Sequence, residues 1–296
     1  MNYRKWLDKN TERLDGKTVA ITGSTGGLGK EICKYLLALG ADLILADRSY
    51  ERSWNHREAL LELYPSANIQ LVSLDLSDMS SVKAATLELK SMPIDIFLHN
   101  AGAYSIPRCM TDFGYENVFV INFLSPYYMI RELLPVLRER NGRVNVVGSI
   151  AHNYSVIDES DVDFRTRKQA SKVYGNAKRF LMFSLYEIFR NENRVKLAVT
   201  HPGITFTNIT AHYPKLIFAV IKYPMKIIFM KPKKAALSIL EGFFKVTEHH
   251  TWIGPKVFDV WGLPSKKKLK TCSLSESEKI HFIADKIYQN IVSAQQ

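Results

Sequence analysis

The sequence predicts an α/β protein: one domain on a doubly wound, mostly parallel sheet of about seven strands, with helices on both faces. Three observations predict it. Short β-branched and aliphatic runs alternate with helix-period stretches along the 296 residues, the pattern that right-handed βαβ units leave in a chain. A glycine-rich turn, Thr22-Gly23-Ser24-Thr25-Gly26-Gly27-Leu28-Gly29, joins the first such run to the first long helix. Residues with chemistry to offer, among them Asp47, Asp75, Asn100 and Ser149, follow the ends of successive runs. An open parallel sheet builds its ligand crevice at those carboxyl ends. With 46% apolar residues the chain can fill one large core, which favours one domain over two.

Residues 1–16 read as a polar helical lead-in closed by the Asp15-Gly16-Lys17 turn signal, and 17–296 as the domain. Residues 18–22 are a buried strand that feeds the glycine turn. The helix after it runs to Leu39, with Gly40 as its C-terminal cap. Residues 42–46 form the second strand, followed by Asp47 and Arg48, and 51–63 a helix stopped by Pro65. The third strand, 69–74, ends at Asp75-Leu76, and a helix follows over 80–90. The fourth strand, 94–98, ends at His99-Asn100-Ala101-Gly102. A long helix over 117–138 carries Asn122. Residues 144–147 are the fifth strand, ending at Gly148-Ser149, and a helix starts near Gln169 with Val173, Ala177, Phe180 and Leu181 on one side. The sixth strand, 195–200, ends at His201-Pro202-Gly203-Ile204-Thr205-Phe206-Thr207. Residues 211–232 are aromatic and aliphatic but broken by lysines and prolines, a lid over an apolar pocket or a surface segment. A helix over 234–245, a last short strand and its turn offered by Trp252-Ile253-Gly254-Pro255 and residues 257–260, and a basic segment with a terminal helix over 263–296 complete the chain. Ser275-x-x-Glu278 reads as the capping box of that helix.

Lysine and arginine number 40 against 29 aspartates and glutamates, a formal net charge of +11. The excess suits an anionic cofactor or membrane surface, and equally a well-solvated exterior. No nucleic-acid-binding motif accompanies it, so no nucleic-acid partner is expected. Lys266, Lys267, Lys268 and Lys270 are the densest cluster and, with 211–232, suggest peripheral membrane contact. Cys33, Cys109 and Cys272 show no metal-ligand spacing. No metal is expected, and the odd count of thiols fits a cytoplasmic protein. The first residues hold no secretory apolar run, and no stretch supplies the ~18 apolar residues of a membrane span.

Tyr174 and Lys178 are four residues apart on a predicted helix, so both project from one face. A free tyrosine ionises near pH ~10. A neighbouring ammonium favours the phenolate and lowers that value, while Ser149 can hydrogen-bond the same substrate oxygen. Alone, the spacing also fits exposed helix decoration, and Asn122 alone reads as a solvated or back-bonded side chain. The glycine turn has the context of a dinucleotide-binding loop, with backbone able to approach a pyrophosphate at a helix N-terminus.

Six motifs in order resemble the short-chain dehydrogenase/reductase superfamily from residue 17 to about 262. They are Thr22-Gly23-x-x-x-Gly27-x-Gly29, Asp75-Leu76, Asn100-Ala101-Gly102, Asn122, Ser149 with Tyr174-x-x-x-Lys178, and Pro202-Gly203-x-x-x-Thr207. The phrases L-D-L-S-D-M-S-S-V, V-G-S-I-A-H and H-P-G-I-T-F-T are most similar to the retinol dehydrogenase and WW-domain oxidoreductase branch. The resemblance implies a Rossmann-type fold and NAD(P)-dependent hydride transfer between an alcohol and a carbonyl, without metal or covalent intermediate. It implies that Gly23, Gly27 and Leu28 cradle the pyrophosphate, with Ser24 and Thr25 in the same cofactor site, and that Asp75 and Leu76 sit at the adenine. Asn100 would brace the central strands, leaving Ala101 and Gly102 against the cofactor. Tyr174 would be the acid and base, and Ser149 would fix the substrate oxygen. Lys178 would hold the nicotinamide ribose and lower the tyrosine pKa. Asn122 would hold, through a helix distortion, a water linking Lys178 to solvent. Pro202, Gly203, Ile204 and Thr207 would clasp the nicotinamide. Two departures stand out: His99 replaces a second asparagine, and the long loop after Ser149 carries Asp158, Glu159, Asp161 and Asp163, expected as a solvated face or a cover for the substrate mouth.

For the cofactor, Asp47 and Arg48 pull in opposite directions. Asp47 is placed to bind ribose hydroxyls, and its charge would repel a 2′-phosphate by ~4 kcal/mol at ~4 Å and an effective dielectric of 20. An exposed arginine contact returns only ~0–1 kcal/mol, so NAD is expected over NADP. The expected substrate is hydrophobic (steroid, retinoid or lipid-like), walled by Phe206 and 211–232. A homo-oligomer is a further expected partner state. The alternative function is a non-catalytic NAD(P)-binding sensor or scaffold on the same fold.

Overall fold

The computed structural model describes residues 3–204 and 230–293. After α1 (Tyr3–Asn10) come β1 (Thr18–Thr22), α2 (Gly27–Ala38), β2 (Asp42–Asp47), α3 (Tyr50–Leu63), β3 (Ile69–Ser73), α4 (Met79–Lys90) and β4 (Ile96–His99). A helical stretch follows in three parts: α5 (Asn117–Phe119), a π-helical turn (Val120–Leu124) and α6 (Ser125–Glu139). Then come β5 (Arg143–Val147), a 3-10 turn (Ile150–Tyr154), α7 (Ala170–Ile188), β6 (Lys196–Thr200) and α8 (Pro232–Glu241). The described chain ends with β7 (Thr251–Val257), β8 (Trp261–Lys268) and α9 (Leu274–Ser293).

The strands lie in the order β3-β2-β1-β4-β5-β6-β7-β8, parallel through β7, with β8 antiparallel to β7. This is the doubly wound, Rossmann-type sheet that the sequence predicts, with one strand more. The winding reverses between β1 and β4, so a crevice opens at their carboxyl ends. Strand side chains alternate between two cores. Val19, Ile21, Leu43, Leu45, Ile96 and Leu98 join one core with residues of α2 and α8. Ala20, Ile44, Phe97, Val144 and Val146 join the other with α4, α6, α7 and α9. A sheet covered on both faces buries both sides of its central strands, which is why β1, β2, β4 and β5 read as continuous apolar runs.

Three expectations change. The expected last strand and its turn are present, with Trp252 to Pro255 inside β7 and Phe258, Asp259 and Val260 as the turn. The basic segment that follows is itself a strand, however: the turn belongs to a β7–β8 hairpin, and Lys266, Lys267 and Lys268 lie on β8. Glycine, proline and lysine disguise that strand, since all three disfavour sheets; at a sheet edge lysine is tolerated and deters further pairing. The terminal helix is capped by Ser273, whose Oγ accepts the Glu276 N–H at 3.1 Å, and not by Ser275. Of the acids after Ser149, Glu159 is exposed and Asp158 half-buried, but Asp161 and Asp163 are not part of a solvated face. Asp161 and Asp163 are 8% and 1% exposed. Asp163 accepts the Glu116 N–H at 2.7 Å and so pins the loop to the segment before α5, while Asp161 accepts the Thr166 hydroxyl at 2.5 Å within the loop itself. Of the 211–232 stretch, 211–229 lie outside the described residues.

Candidate active site

The crevice is built from strand ends. β1 ends at Thr22, whose buried Oγ1 accepts the backbone N–H groups of Asn100 at 3.2 Å and Ala101 at 3.1 Å. Asn100 Nδ2 donates back to the carbonyls of Thr22 at 3.2 Å and Gly23 at 2.9 Å. The two central strands are thereby laced together where they meet the crevice. His99 faces Thr22 Oγ1 at 3.1 Å and is fully buried, and that burial holds its pKa well below the usual imidazole value. Above this brace the glycine turn enters α2. Gly26 holds the cap position, and no side chain caps the helix. The first-turn N–H groups and the positive end of the helix dipole are thus left for an anion, which fits a pyrophosphate. Leu28 is buried, so it offers that site backbone only.

Asp47 is 4% exposed and turned inward. Its carboxylate accepts the Ser24 hydroxyl at 2.5 Å, the Ser53 hydroxyl at 3.0 Å, and Thr25 N–H and O–H at 3.4 Å. It therefore braces the glycine turn from below. Arg48 is exposed beside it. Asp75 accepts the N–H and hydroxyl of Ser77 at 2.9 and 2.6 Å. Leu76 is buried, and its carbonyl takes the Ser125 hydroxyl at 2.7 Å.

On the other side β5 ends at Gly148-Ser149. Ser149 opens the 3-10 turn, and its Oγ accepts the Ala151 N–H at 3.2 Å. This turn packs on α7 only because residue 175 is glycine: a Cβ there would lie 2.2 Å from the Ala151 carbonyl oxygen. The close contact brings Ser149 beside Tyr174, near enough to act on its phenol. The Tyr174 ring meets Tyr104 edge-on, with centroids 5.3 Å apart. Lys178, one turn on, is 1% exposed; its Nζ donates to the Val147 carbonyl at 2.9 Å and lies 5.7 Å from the Tyr174 ring centroid. Gly102 completes the group, since a Cβ there would fall 2.8 Å from Asn122 Oδ1 and 3.7 Å from Lys178 Nζ. Asn122 does sit in a helix distortion, the π turn. Its amide is occupied, with Nδ2 donating to the carbonyls of Ala103 and Val118 at 2.8 Å and Oδ1 accepting the Ala103 N–H at 3.2 Å. The side chain locks the loop after β4 onto the helix.

The expected lowering of Tyr174 by an ammonium is not found. Burial pushes the phenol up to about 12, outweighing the lowering effect of the Ser149 side chain. Burial likewise pushes Lys178 down to about 7. Packed away from water, each group resists its charged form. At neutral pH Tyr174 is therefore a phenol, ready to donate a proton, and Lys178 titrates close to neutrality.

Pro202, Gly203 and Ile204 turn away from the end of β6, the first two buried and Ile204 partly exposed. Thr207 lies outside the described residues. The structure gives roles to residues that the sequence reading left without one: Thr22, Tyr104, Gly175 and His152. A polar residue ending an apolar strand and a glycine inside a helix were usable signals for Thr22 and Gly175; Tyr104 gave none. His152 Nδ1 lies 2.6 Å from the Ser149 carbonyl and Nε2 lies 2.8 Å from Thr271 Oγ1. A carbonyl can only accept, so Nδ1 carries the proton and Nε2 accepts from the threonine hydroxyl. Burial, which lowers the His152 pKa to about 4, keeps the ring neutral.

The model of the short chain dehydrogenase family matches residues 17–215. The Brassica napus short-chain dehydrogenase TIC 32 A, chloroplastic, is 29% identical over 68% of each chain. The Gallus gallus WW domain-containing oxidoreductase is 33% identical over 54% of this chain and 40% of its own length. The Mus musculus polyprenol dehydrogenase is 24% identical over 76% of this chain and 70% of its own. A crystal structure of a Mycobacterium paratuberculosis protein superposes with a TM-score of 0.76 at 22% identity, covering 95% of this chain and 96% of that one. Five other solved structures contain NADP, NADPH or 5-hydroxy-NADP, among them Pseudomonas aeruginosa RhlG and, with its sugar, Gluconobacter frateurii L-sorbose reductase. They superpose with TM-scores of 0.57–0.61 at 17–23% identity, over 74–80% of this chain and 81–97% of theirs. These five overturn the expected preference for NAD. The geometry supplies a physical reason. The acid expected to receive the ribose and repel a 2′-phosphate is buried under the glycine turn, while Arg48 stays exposed at the rim.

Proposed function

Because the chain belongs to the short-chain dehydrogenase family, we propose that it is an NADP(H)-dependent oxidoreductase interconverting a carbonyl and an alcohol on a hydrophobic, lipid-like substrate. The observation that carries this reading is the Ser149–Tyr174 pair standing beside a buried Lys178 at the carboxyl edge of the sheet. Bound NADP(H) supplies or takes up the hydride. The uncapped N-terminus of α2 would hold its pyrophosphate and Arg48 its 2′-phosphate. Lys178 makes one hydrogen bond among the described residues where an ammonium offers three, and Gly102 leaves space beside it; the ribose hydroxyls would take the remainder. Ser149 Oγ already accepts the Ala151 N–H, so its own proton is left to donate to the substrate oxygen. In reduction Tyr174 gives its proton to that oxygen, and in oxidation it takes the proton back.

Partly exposed Ile150, Tyr104 and Ile204, together with Tyr154 at 53% and Val156 at 71% exposure, give the crevice and the loop beside it an apolar character. The name of the mouse relative supports the lipid-like class. The phrases shared with the retinol dehydrogenase and WW-domain branch, and the Gallus gallus match, point the same way within the family. The test is NADPH-dependent reduction across retinal, polyprenal, steroid ketones, short aliphatic ketones and sugars. Turnover should favour the long apolar carbonyls. A preference for sugars would overturn the substrate class, and tight NADPH binding with no turnover of any carbonyl would favour the scaffold reading.

A further inference from the structure

The β7–β8 hairpin presents an apolar tip to solvent. Phe258 is 84% exposed, the most of any large apolar side chain among the described residues, with Val257 at 44% and Trp261 at 40% beside it. The backbone does not favour a phenylalanine here. Val260 N–H closes the turn on the Val257 carbonyl at 2.9 Å, and the two central residues, Phe258 and Asp259, have φ of 50° and 56°. A turn of this hand ordinarily takes Asn-Gly, because a bulky side chain is strained in the left-handed region. Inside the protein that strain has no visible return, since the ring packs little of its surface.

The turn is also held rigid from behind. Lys267 Nζ donates to Asp259 Oδ1 at 2.8 Å and to the Pro255 carbonyl at 2.7 Å. His201 Nε2 donates to the Asp259 carbonyl at 3.1 Å, and the imidazole stacks on Trp252 with centroids 4.8 Å apart. The hairpin root abuts the mouth of the crevice. A Cβ on Gly203 would lie 2.7 Å from the Val260 carbonyl oxygen, 2.9 Å from Pro255 Cγ and 3.2 Å from Met230 Sδ. Met230 leads directly into α8, whose N-cap is Lys231 and whose first turn carries Lys234. These two and Lys256 are exposed and have no acidic partner among the described residues. The acid of the tip, Asp259, is already matched by Lys267. The lysines that stand out in the sequence belong elsewhere: Lys266 pairs with Glu248, and Lys268 lies opposite Thr251 at the far end of the hairpin.

We propose that this tip docks the protein on an anionic lipid bilayer. Phe258 and Trp261 enter the headgroup boundary, where aromatic rings are favoured. Lys231, Lys234 and Lys256 meet the anionic headgroups, and the crevice mouth at Gly203 is set against the membrane. The proposal does not depend on the catalytic reading, and its test uses no carbonyl substrate.

Cosedimentation of the full chain with phosphatidylcholine vesicles, with and without phosphatidylserine, decides it. Binding is expected to the mixed vesicles only, and to weaken with salt. Phe258→Asn suits the left-handed turn better than phenylalanine, so its Tm should hold or rise while its partitioning falls about tenfold. Lys231→Glu with Lys256→Glu should reduce binding to the level of phosphatidylcholine alone. The proposal is overturned if wild type ignores mixed vesicles, or if Phe258→Asn binds them unchanged. It is equally overturned if Phe258→Asn instead converts a dimer to a monomer in sedimentation velocity while vesicle binding stays the same, since the tip would then pair two copies of the chain.

Discussion

Lys178 and Arg179 are consecutive on α7 and about equally buried, at 1% and 2% exposure, yet they serve opposite regions of the molecule. Lys178 points to the crevice, with one carbonyl as its partner and no carboxylate among the described residues, and its pKa falls to about 7. Arg179 points to the back of the helix. It forms a bidentate pair with Glu276 at 2.8 Å and donates to the carbonyls of His152 at 3.0 Å and Thr271 at 2.5 Å. Arg179 uses four of its five N–H donors and clamps α9 and the Ser149 turn to α7. Lys178 is left short of partners, at a cost to stability, and that shortage is what a ligand can satisfy. Burial alone therefore does not mark a functional cation; unmet hydrogen-bonding capacity does.

The largest effect should come from the crevice side alone. Tyr174→Phe is expected to lower carbonyl turnover ~10²–10⁴-fold. NADPH affinity and Tm should barely move, because the hydroxyl belongs to neither the cofactor cradle nor the core. Steady-state kinetics beside a thermal melt separates these, and near-wild-type turnover would remove Tyr174 from its role.

The paired substitutions Arg179→Met and Lys178→Met should then differ in sign. Losing Arg179 leaves Glu276 and two carbonyls without their donor and should cost about 3 kcal/mol, a fall in Tm of about 6–12 °C. Lys178→Met exchanges a poorly partnered buried cation for an apolar chain of similar length. Its Tm should stay level or rise, while NADPH binding and turnover are both lost. Equal destabilisation by the two variants would break the comparison.

A pH series sharpens it. A free lysine keeps its proton to about 10.5, whereas the folded Lys178 releases it near 7. Between those values the unfolded chain binds more protons, so this group adds to stability as pH rises through the window. Below the folded value the penalty is present in full. The stability advantage of Lys178→Met over wild type, from urea melts of the protein without cofactor, should accordingly be larger near about pH 6 than near about pH 9. A constant difference would show that Lys178 titrates as an ordinary lysine.

Much of this was legible in the chain. Strands buried on both faces announce themselves as apolar runs, and Tyr174, Lys178 and Ser149 could be paired from helical spacing and a strand end. What escaped depended on contacts between distant segments. The inward turn of Asp47 needs Ser53 on α3; the burial of Asp163 needs the Glu116 N–H. The contact through Gly175 needs the Ala151 carbonyl across the Ser149 loop. Strand β8 was hidden by lysines that an edge position tolerates. No local pattern carries such information, because the partner residue lies on another element.

Asp47 gives the smallest effect and the finest test, since it is the acidic counterpart of Arg179: buried, well partnered and structural. Were it the ribose acid, Asp47→Ala would relieve repulsion of the 2′-phosphate and improve NADPH binding relative to NADH. The structure predicts otherwise. Its two shortest hydrogen bonds, from Ser24 and Ser53, hold the glycine turn to α3. Removing the carboxylate strands two buried hydroxyls, a loss of about 2 kcal/mol that should appear as a lower Tm and weaker binding of both cofactors, with their ratio little changed. Arg48 is exposed and free of that network, so Arg48→Ala should leave Tm alone and weaken NADPH about tenfold while sparing NADH, the size of one charge-assisted phosphate contact. Titration of both cofactors against wild type and the two variants resolves the roles. A large gain in NADPH preference on Asp47→Ala would mean that the carboxylate faces the ribose after all, and that its bonds to Ser24 and Ser53 give way when the cofactor binds.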